Sequence, residues 1–420
     1  MRADEMRDTG AALGSALDEV TVIVRDVHRA AAQRLFGLVG SAGRPVQLLH
    51  DGIAAIAYTS TRAGVKVIPT AIGLGAGVMQ DPAAESAHDT ARGRFLLSAV
   101  NGFWGDRYGE RRPALAPELR VRTHDGSLRV DAANVAHDAG TPATGRIVVF
   151  VHGLCENDLY WRFSAAKTWG DPTATYGSKL RDDDGWTPLY VHYNTGLHVS
   201  QSATDIAIRL EQIVDAWPVP VTDIALVGHS MGGLVVRSAA HHGAELGHRW
   251  VRSLRHVVGL GAPHTGAPLE RFVAAGTHRM ARLPETLPFA RWLDRRSVGI
   301  KDLRHGSIIE ADWWGLGEHG QDDACTEDRC TDVPLAAGVA YSMASATLSA
   351  RPDGRVDHDL LVTHGSANGI GKTRTIPFDP MRSVHIGRST HFDLLRSPVV
   401  YDALRHWLAT PLEQLHAESA

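Results

Sequence analysis

The run "DIALVGHSMGGLVVRSAA", Asp223 to Ala240, constrains the fold more than any other stretch of the chain. Its first part is a continuous apolar stretch of strand length, its second an apolar helix, and a single residue, Ser230, turns the chain between them. Short continuous β-branched runs read as buried strands, and apolar residues recurring every three to four positions read as helices. The same alternation extends to either side. "RIVVFV" (Arg146–Val151), "TPLYVHYN", "LRHVVGLGAP", "GVAYSMASATL" and "RSVHIG" read as strands, Ile206, Leu210, Ile213 and Val214 make a helical stripe, and "VVYDALRHWL" is a final helix. Strands apolar on both faces and separated by helices predict an α/β architecture, a mostly parallel central sheet covered on both sides.

Gly228-His229-Ser230-Met231-Gly232 reads as G-x-S-x-G. With 42 glycines among 420 residues, that pattern alone would arise by chance in roughly one such chain in four, so its context has to decide. Here a strand ends and a helix begins on either side of the Ser, which makes a strained elbow with the hydroxyl exposed above the sheet at a helix N-terminus. The alternative is a Ser capping a helix after a glycine-rich turn, as in nucleotide-binding proteins. No G-x-G-x-x-G and no P-loop Lys accompanies it.

A nucleophilic Ser needs a base, and the base an orienting acid, which in this architecture follow in the order acid, then His. His391 in "GRSTHFDLL" follows a strand-like run and precedes the final helix, which puts it at the sheet edge that carries the elbow; His385 inside the strand and His406 inside the helix read as structural. For the acid, "RPDGRVDHDLLVTHGSANG" offers Asp353, Asp357 and Asp359 after the "GVAYSMASATL" strand. Asp359 is favoured, Asp357 is the runner-up, and a Ca²⁺ site shared by all three is a weaker option. Two N–H donors must converge on an oxyanion: Met231 at the helix start, and Leu154 in "HGLCEND", where His152-Gly153 lets the backbone approach or is a plain turn.

These motifs resemble the α/β-hydrolase fold, lipase and esterase branch, over roughly residues 145–410. The likeness rests on "HG" after the early strand, "GHSMGG" at the elbow, "GLGAPHTGAP" and the acid segment "DLLVTHGSANG". Leu360 stands directly after the acid, where the commoner form has Gly. The resemblance implies Ser230, Asp359 and His391 as a triad working through an acyl-enzyme, with His152, Gly153, His229 and His264 around the substrate. It implies no cofactor and no metal. "LLSAVNGFWGDRYGE" resembles the N-terminal extension of some bacterial esterases of this type.

The expected organisation is an N-terminal helical region and connector over 1–120, with Val20, Ile23, Val24 and Val27 at helical spacing, and a catalytic domain over 121–420. A helical cap is expected at about 265–335, in which Trp292, Trp313 and Trp314 form either an apolar lining for acyl chains or the cap's own core. "ERRPALAPELRVRTHDGSLRV" suits a connector with one or two edge strands. With 43 Lys and Arg against 47 Asp and Glu, net charge −4, no nucleic-acid surface is indicated. The polar start lacks a secretory leader and "GVKVIPTAIGLGAGVM" is too short to span a bilayer, so a cytoplasmic protein is expected, with peripheral membrane contact through the N-terminal helices or the cap. Cys325 and Cys330 lie close enough in sequence to close a small loop, whereas Cys155 reads as a buried free thiol. Hydrolysis of a small-molecule ester or lipid is the leading expectation. An amidase, thioesterase, acyltransferase or deacylase of lipid-linked glycans using the same triad comes second, and a non-catalytic lipid- or partner-binding protein third.

Overall fold

The computed structural model describes residues 1–39, 44–78, 84–124, 128, 143–268, 294–315 and 328–409, with a few positions between 268 and 294. Seven strands form one sheet in the order β1-β3-β2-β4-β5-β6-β7. They are β1 (Arg120–Arg122), β2 (Arg146–Val151), β3 (Thr187–His192), β4 (Asp223–His229), β5 (Leu254–Leu260), β6 (Ala340–Thr347) and β7 (Ser383–Gly387). β1 runs antiparallel to β3 at one edge, and every other pair is parallel. Among the described residues the connector thus supplies one edge strand.

Side chains alternate across the sheet, and each face has its own core. Ile147, Val149 and Val151 of β2 pack with the helix Val199–Asp215 on one side. Val148 and Phe150 pack with the helices Tyr176–Asp184 and Pro398–Leu408 on the other. Burial on both faces is why these strands read as unbroken apolar runs. The order reverses at β2, which has β3 on one side and β4 on the other, and the strand ends beside such a reversal form the natural crevice of an α/β sheet.

The N-terminal region begins with two long helices, α1 (Ala3–Val39) and α2 (Arg44–Val78), packed as a hairpin. Their backbones approach so closely that a Cβ on Gly10 or Gly73 would collide with main-chain atoms of the opposite helix. Asp18 bridges Arg62 and Lys66 at 2.6 and 2.9 Å, and the Arg62 guanidinium leads in holding its carboxyl down at about 2. The stripe Val46, Leu49, Ile53, Ile56, Val67, Leu74 and Val78 of α2 is exposed. Of "GVKVIPTAIGLGAGVM", Gly73 is buried against α1 while Val67, Ile68 and Ile72 face outward. Among the described residues no helix is long and apolar enough to cross a membrane.

The third helix, α3 (Ala91–Arg111), behaves differently, because it is fastened to the sheet domain along its length. Arg94 pairs with the buried Asp158 at 2.7 Å, Asn157 donates to Ser98 Oγ, Asn194 donates to the Gly105 carbonyl, and Ser297 Oγ donates to the Gly102 carbonyl. Gly105 and Gly196 meet backbone to backbone at this junction. These ties bring α3 over the C-terminal ends of the strands.

Candidate active site

Ser230 sits between β4 and α4 (Met231–Glu245) with φ 55° and ψ −125°. Positive φ is costly for a residue with a Cβ and persists only where the surroundings enforce it. Here the enforcement is steric. A Cβ on Gly228 would run into the Gly232 backbone, and one on Gly232 into the carbonyl of Val151 in β2. Strand and helix can therefore cross at this distance only because both positions are glycine. The Ser230 N–H donates to the Leu260 carbonyl at 2.8 Å, and Gly233 N–H donates back to the Ser230 carbonyl at 2.9 Å. Replacing Gly232 by Ala is expected to cost about 3 kcal/mol or more, since the extra methyl meets main chain with nowhere to move; a thermal melt within 2 °C of wild type would refute this.

The loop after β6 places Asp359 and the loop after β7 places His391, both buried. His391 Nδ1 donates to Asp359 Oδ2 at 2.7 Å, and the His391 N–H donates to the Asp359 carbonyl at 3.0 Å. The other carboxylate oxygen accepts the N–H groups of Leu361 and Val362 at 3.0 and 2.8 Å. Burial alone would push this carboxyl up, but the His391 ring and the two N–H groups together hold it below the ordinary range. The turn that aims those N–H groups puts Leu360 at φ 96°, a conformation natural for glycine.

Asp357 is exposed and contributes only its carbonyl, to the His364 N–H at 2.7 Å, so the structure selects Asp359 for the His391 contact. The three-carboxylate Ca²⁺ site does not form either, because Asp353 is forked to Arg351 and Asp359 is committed to His391. Among the described residues, His241, His242 and Glu245 are the only such side chains close enough to share an ion, and they lie at the far end of α4 from Ser230.

Ser230 and His391 border one cavity of about 310 Å³ whose wall is mostly apolar. Its lining includes Leu154, Pro263, Ile300, Leu303, Leu361, Val362 and Phe392, together with Phe103 and Trp104 of α3. His391 Nε2 is buried without a protein partner among the described residues. The Leu154 N–H, in the loop after β2, and the Met231 N–H, at the start of α4, likewise have no acceptor there.

Of the two expectations for the cap tryptophans, a lining for acyl chains or the cap's own core, the described tryptophans do not support the lining. Trp313 stacks on His198 at 3.8 Å and donates to Ser200 Oγ, and Trp314 is 72% exposed, so neither reaches the cavity. Trp292 and Cys325 lie outside the described residues, and Cys330 is a free, half-buried thiol. Cys155 is free as well, half-buried beside Gly102 of α3, and burial pushes its thiol up to about 12.

The residues expected to touch substrate need a second correction: His152, Gly153, His229 and His264 are all buried behind the wall. His152 stacks on Tyr193, and its burial, reinforced by the nearby His192, lowers its pKa to about 4. His264 packs edge-on against Phe378, and burial keeps it neutral, well below its ordinary pKa. Gly153 lies behind Ser230, where a Cβ would strike the Ser230 Cβ.

His229 is enclosed between the Glu156 carboxylate, 2.9 Å from Nδ1, and the His391 carbonyl, 3.2 Å from Nε2. Glu156 also accepts the Gly153 N–H at 2.7 Å. Burial opposes charge on both members, yet their mutual attraction prevails, raising the His229 pKa and lowering that of Glu156. Glu156 was not singled out from sequence. Its only signal was a charged residue two positions after Leu154, in a segment otherwise entering the core.

The chain is similar to several solved structures. The Bacillus licheniformis lipase BlEst2 in propeptide form aligns at 16% identity and TM-score 0.41, covering 64% of this chain and 52% of that one, so the chain spans about half of that lipase. A Pyrobaculum calidifontis esterase aligns at 12% identity and TM-score 0.36, covering 78% and 90%. The Legionella pneumophila phospholipase PlaB aligns at 14% identity and TM-score 0.38, covering 66% and 63%. No curated protein matches the sequence. Over residues 142–321 the chain is similar to the PGAP1-like alpha/beta domain, and the architecture around that segment is the α/β-hydrolase fold.

Proposed function

We propose that this protein hydrolyses carboxylic esters of medium-length acyl chains by acyl transfer through Ser230. The observation that carries the reading is one arrangement: a strained elbow Ser and a carboxylate-bound His, its second nitrogen without a partner, opening on the same apolar cavity. His391 takes the Ser230 proton as the hydroxyl attacks the ester carbonyl. Asp359 fixes the ring so that Nε2 faces the reaction and stabilises the imidazolium. The N–H groups of Leu154 and Met231 receive the oxyanion, at a helix N-terminus whose dipole favours negative charge. His391 then protonates the leaving alcohol and activates the water that cleaves the acyl-enzyme.

The cavity supports an acyl substrate. Its volume of about 310 Å³ lies at the small end of the range for ligand pockets, which suits a short to medium apolar chain. Phe103 both lines the cavity and is 49% exposed, and it shares a face of α3 with the exposed Phe95 and Leu96. That continuity supports loading from a lipid surface.

The test is turnover of p-nitrophenyl esters from acetate to palmitate. The expected optimum is at about eight to ten carbons, and Trp104→Ala should move it to longer chains. Phe95→Glu with Leu96→Glu should lower turnover of vesicle-embedded ester while leaving soluble ester unaffected. If no ester is turned over although a fluorophosphonate labels Ser230, the substrate is an amide or thioester; if Ser230 is not labelled either, the reading fails.

A further inference from the structure

We propose that Glu156 and His229 form a buried carboxylate–imidazolium clamp, a positioning pair that fixes the Gly153–Leu154 loop on one side and the His391 backbone on the other. The inference rests on the acyl-transfer reading for its purpose and on geometry for its existence.

His229 has an acceptor at each ring nitrogen: the Glu156 carboxylate at Nδ1 and the His391 carbonyl at Nε2. A neutral imidazole carries one N–H and could donate to only one of them; both contacts require a second proton on the pair. The ring is fully buried and Glu156 is 4% exposed, so water does not fill the deficit. The side chain that follows in sequence is the elbow Ser itself, and the His229 ring centre lies 4.7 Å from that of His391.

Each contact fixes a different reacting group. The Glu156 carboxylate takes the Gly153 N–H, and the Glu156 N–H closes a tight turn onto the Gly153 carbonyl at 3.2 Å. That turn holds Cys155 at φ 61°, and it leaves the Leu154 N–H, between the two anchored residues, without an acceptor among the described residues, on a residue that lines the cavity. On the other side, the His229 Nε2–H holds the carbonyl of His391, whose own N–H is bonded to Asp359. Base and oxyanion donor are thus referred to one rigid pair.

The charge of the pair also matters. Glu156 borders the same cavity as Ser230 and Leu154. A lone carboxylate there would oppose the negative charge that develops on the substrate oxygen, and the imidazolium cancels it.

The first test needs no substrate. In the wild-type protein labelled with ¹⁵N-histidine, His229, assigned by comparison with His229→Asn, is expected to show two ring N–H signals at neutral pH. One signal overturns the clamp. The second test is kinetic. Glu156→Gln keeps the shape and one acceptor oxygen but replaces the other with an NH2 donor and removes the charge, and is expected to lower kcat by about 10- to 100-fold with KM within twofold, slowing fluorophosphonate labelling of Ser230 equally. His229→Asn leaves the carboxylate unneutralised and should lose more, and the double variant no more than His229→Asn alone, since the two act as one unit. Wild-type kcat in Glu156→Gln, or a change confined to KM, overturns the positioning role. Two N–H signals in a protein that turns over no ester would support the clamp while refuting the acyl-transfer reading.

Discussion

Replacing Ser230 by Ala is expected to abolish ester turnover, with kcat falling about 10⁶-fold and fluorophosphonate labelling lost. The magnitude follows from the role: without the hydroxyl no acyl-enzyme can form, and the remaining groups can only assist direct attack by water. Folding should be little affected. The Ser230 side chain makes no hydrogen bond to other described residues, and the elbow is held by main-chain bonds at 2.8 and 2.9 Å that alanine retains. Activity loss with an unchanged melting temperature is therefore the signature to look for. A Ser230→Ala protein retaining even a hundredth of wild-type kcat would sink the assignment.

Asp359→Asn is expected to cost roughly 10⁴ in kcat, while Asp357→Asn leaves activity at the wild-type level. An asparagine at 359 can still accept the N–H groups of Leu361 and Val362. What it loses is the second carboxylate oxygen at His391 Nδ1, where an amide donor would drive the ring to the wrong tautomer. A stability effect should accompany the kinetic one. The Asp359 carboxyl is held below its ordinary range, so its ionised form stabilises the fold at neutral pH. That contribution persists while pH stays above the unfolded carboxylate pKa and fades as pH falls through the lower, folded value. The gap in melting temperature between wild type and Asp359→Asn should accordingly be widest near pH 7 and close in acid. Equal losses for Asp357 and Asp359 would show that the pairing at 2.7 Å is not the functional one.

Much of this fold could be read from the residues because its strands are buried on both faces. Arg146–Val151 and Asp223–His229 are unbroken apolar runs for that reason, whereas β7, Ser383–Gly387, is largely half-buried and carries polar residues. Ser230 was legible because two glycines and a strand-to-helix change are local facts. The pairing of His391 with Asp359 followed from chain order, although Leu360 replaces the glycine that its φ of 96° favours.

The direction in which a histidine points was not legible. His152, His229 and His264 all follow or end strands near the site, yet each turns into the core rather than to the cavity. Side-chain facing at a strand end depends on neighbours far away in sequence, such as Tyr193 for His152 and Glu156 for His229. The aromatic wall was hidden for the same reason. Phe103 and Trp104 look like ordinary helix residues until α3 is laid across the strand ends by contacts that span more than fifty residues of sequence, such as Arg94 to Asp158.

That wall separates two things an enzyme of this shape must encode. The groups that would move protons and hold charge lie in loops between residues 152 and 391, each locked by contacts within the sheet domain. Part of the surface that would meet the acyl chain comes from residues 103 and 104, on a helix that supplies none of those groups. On the acyl-transfer reading, substitutions there would retune which chains fit without disturbing the proton relay. On that reading, substrate range in this chain would thus drift as a peripheral trait while the reaction chemistry stays fixed.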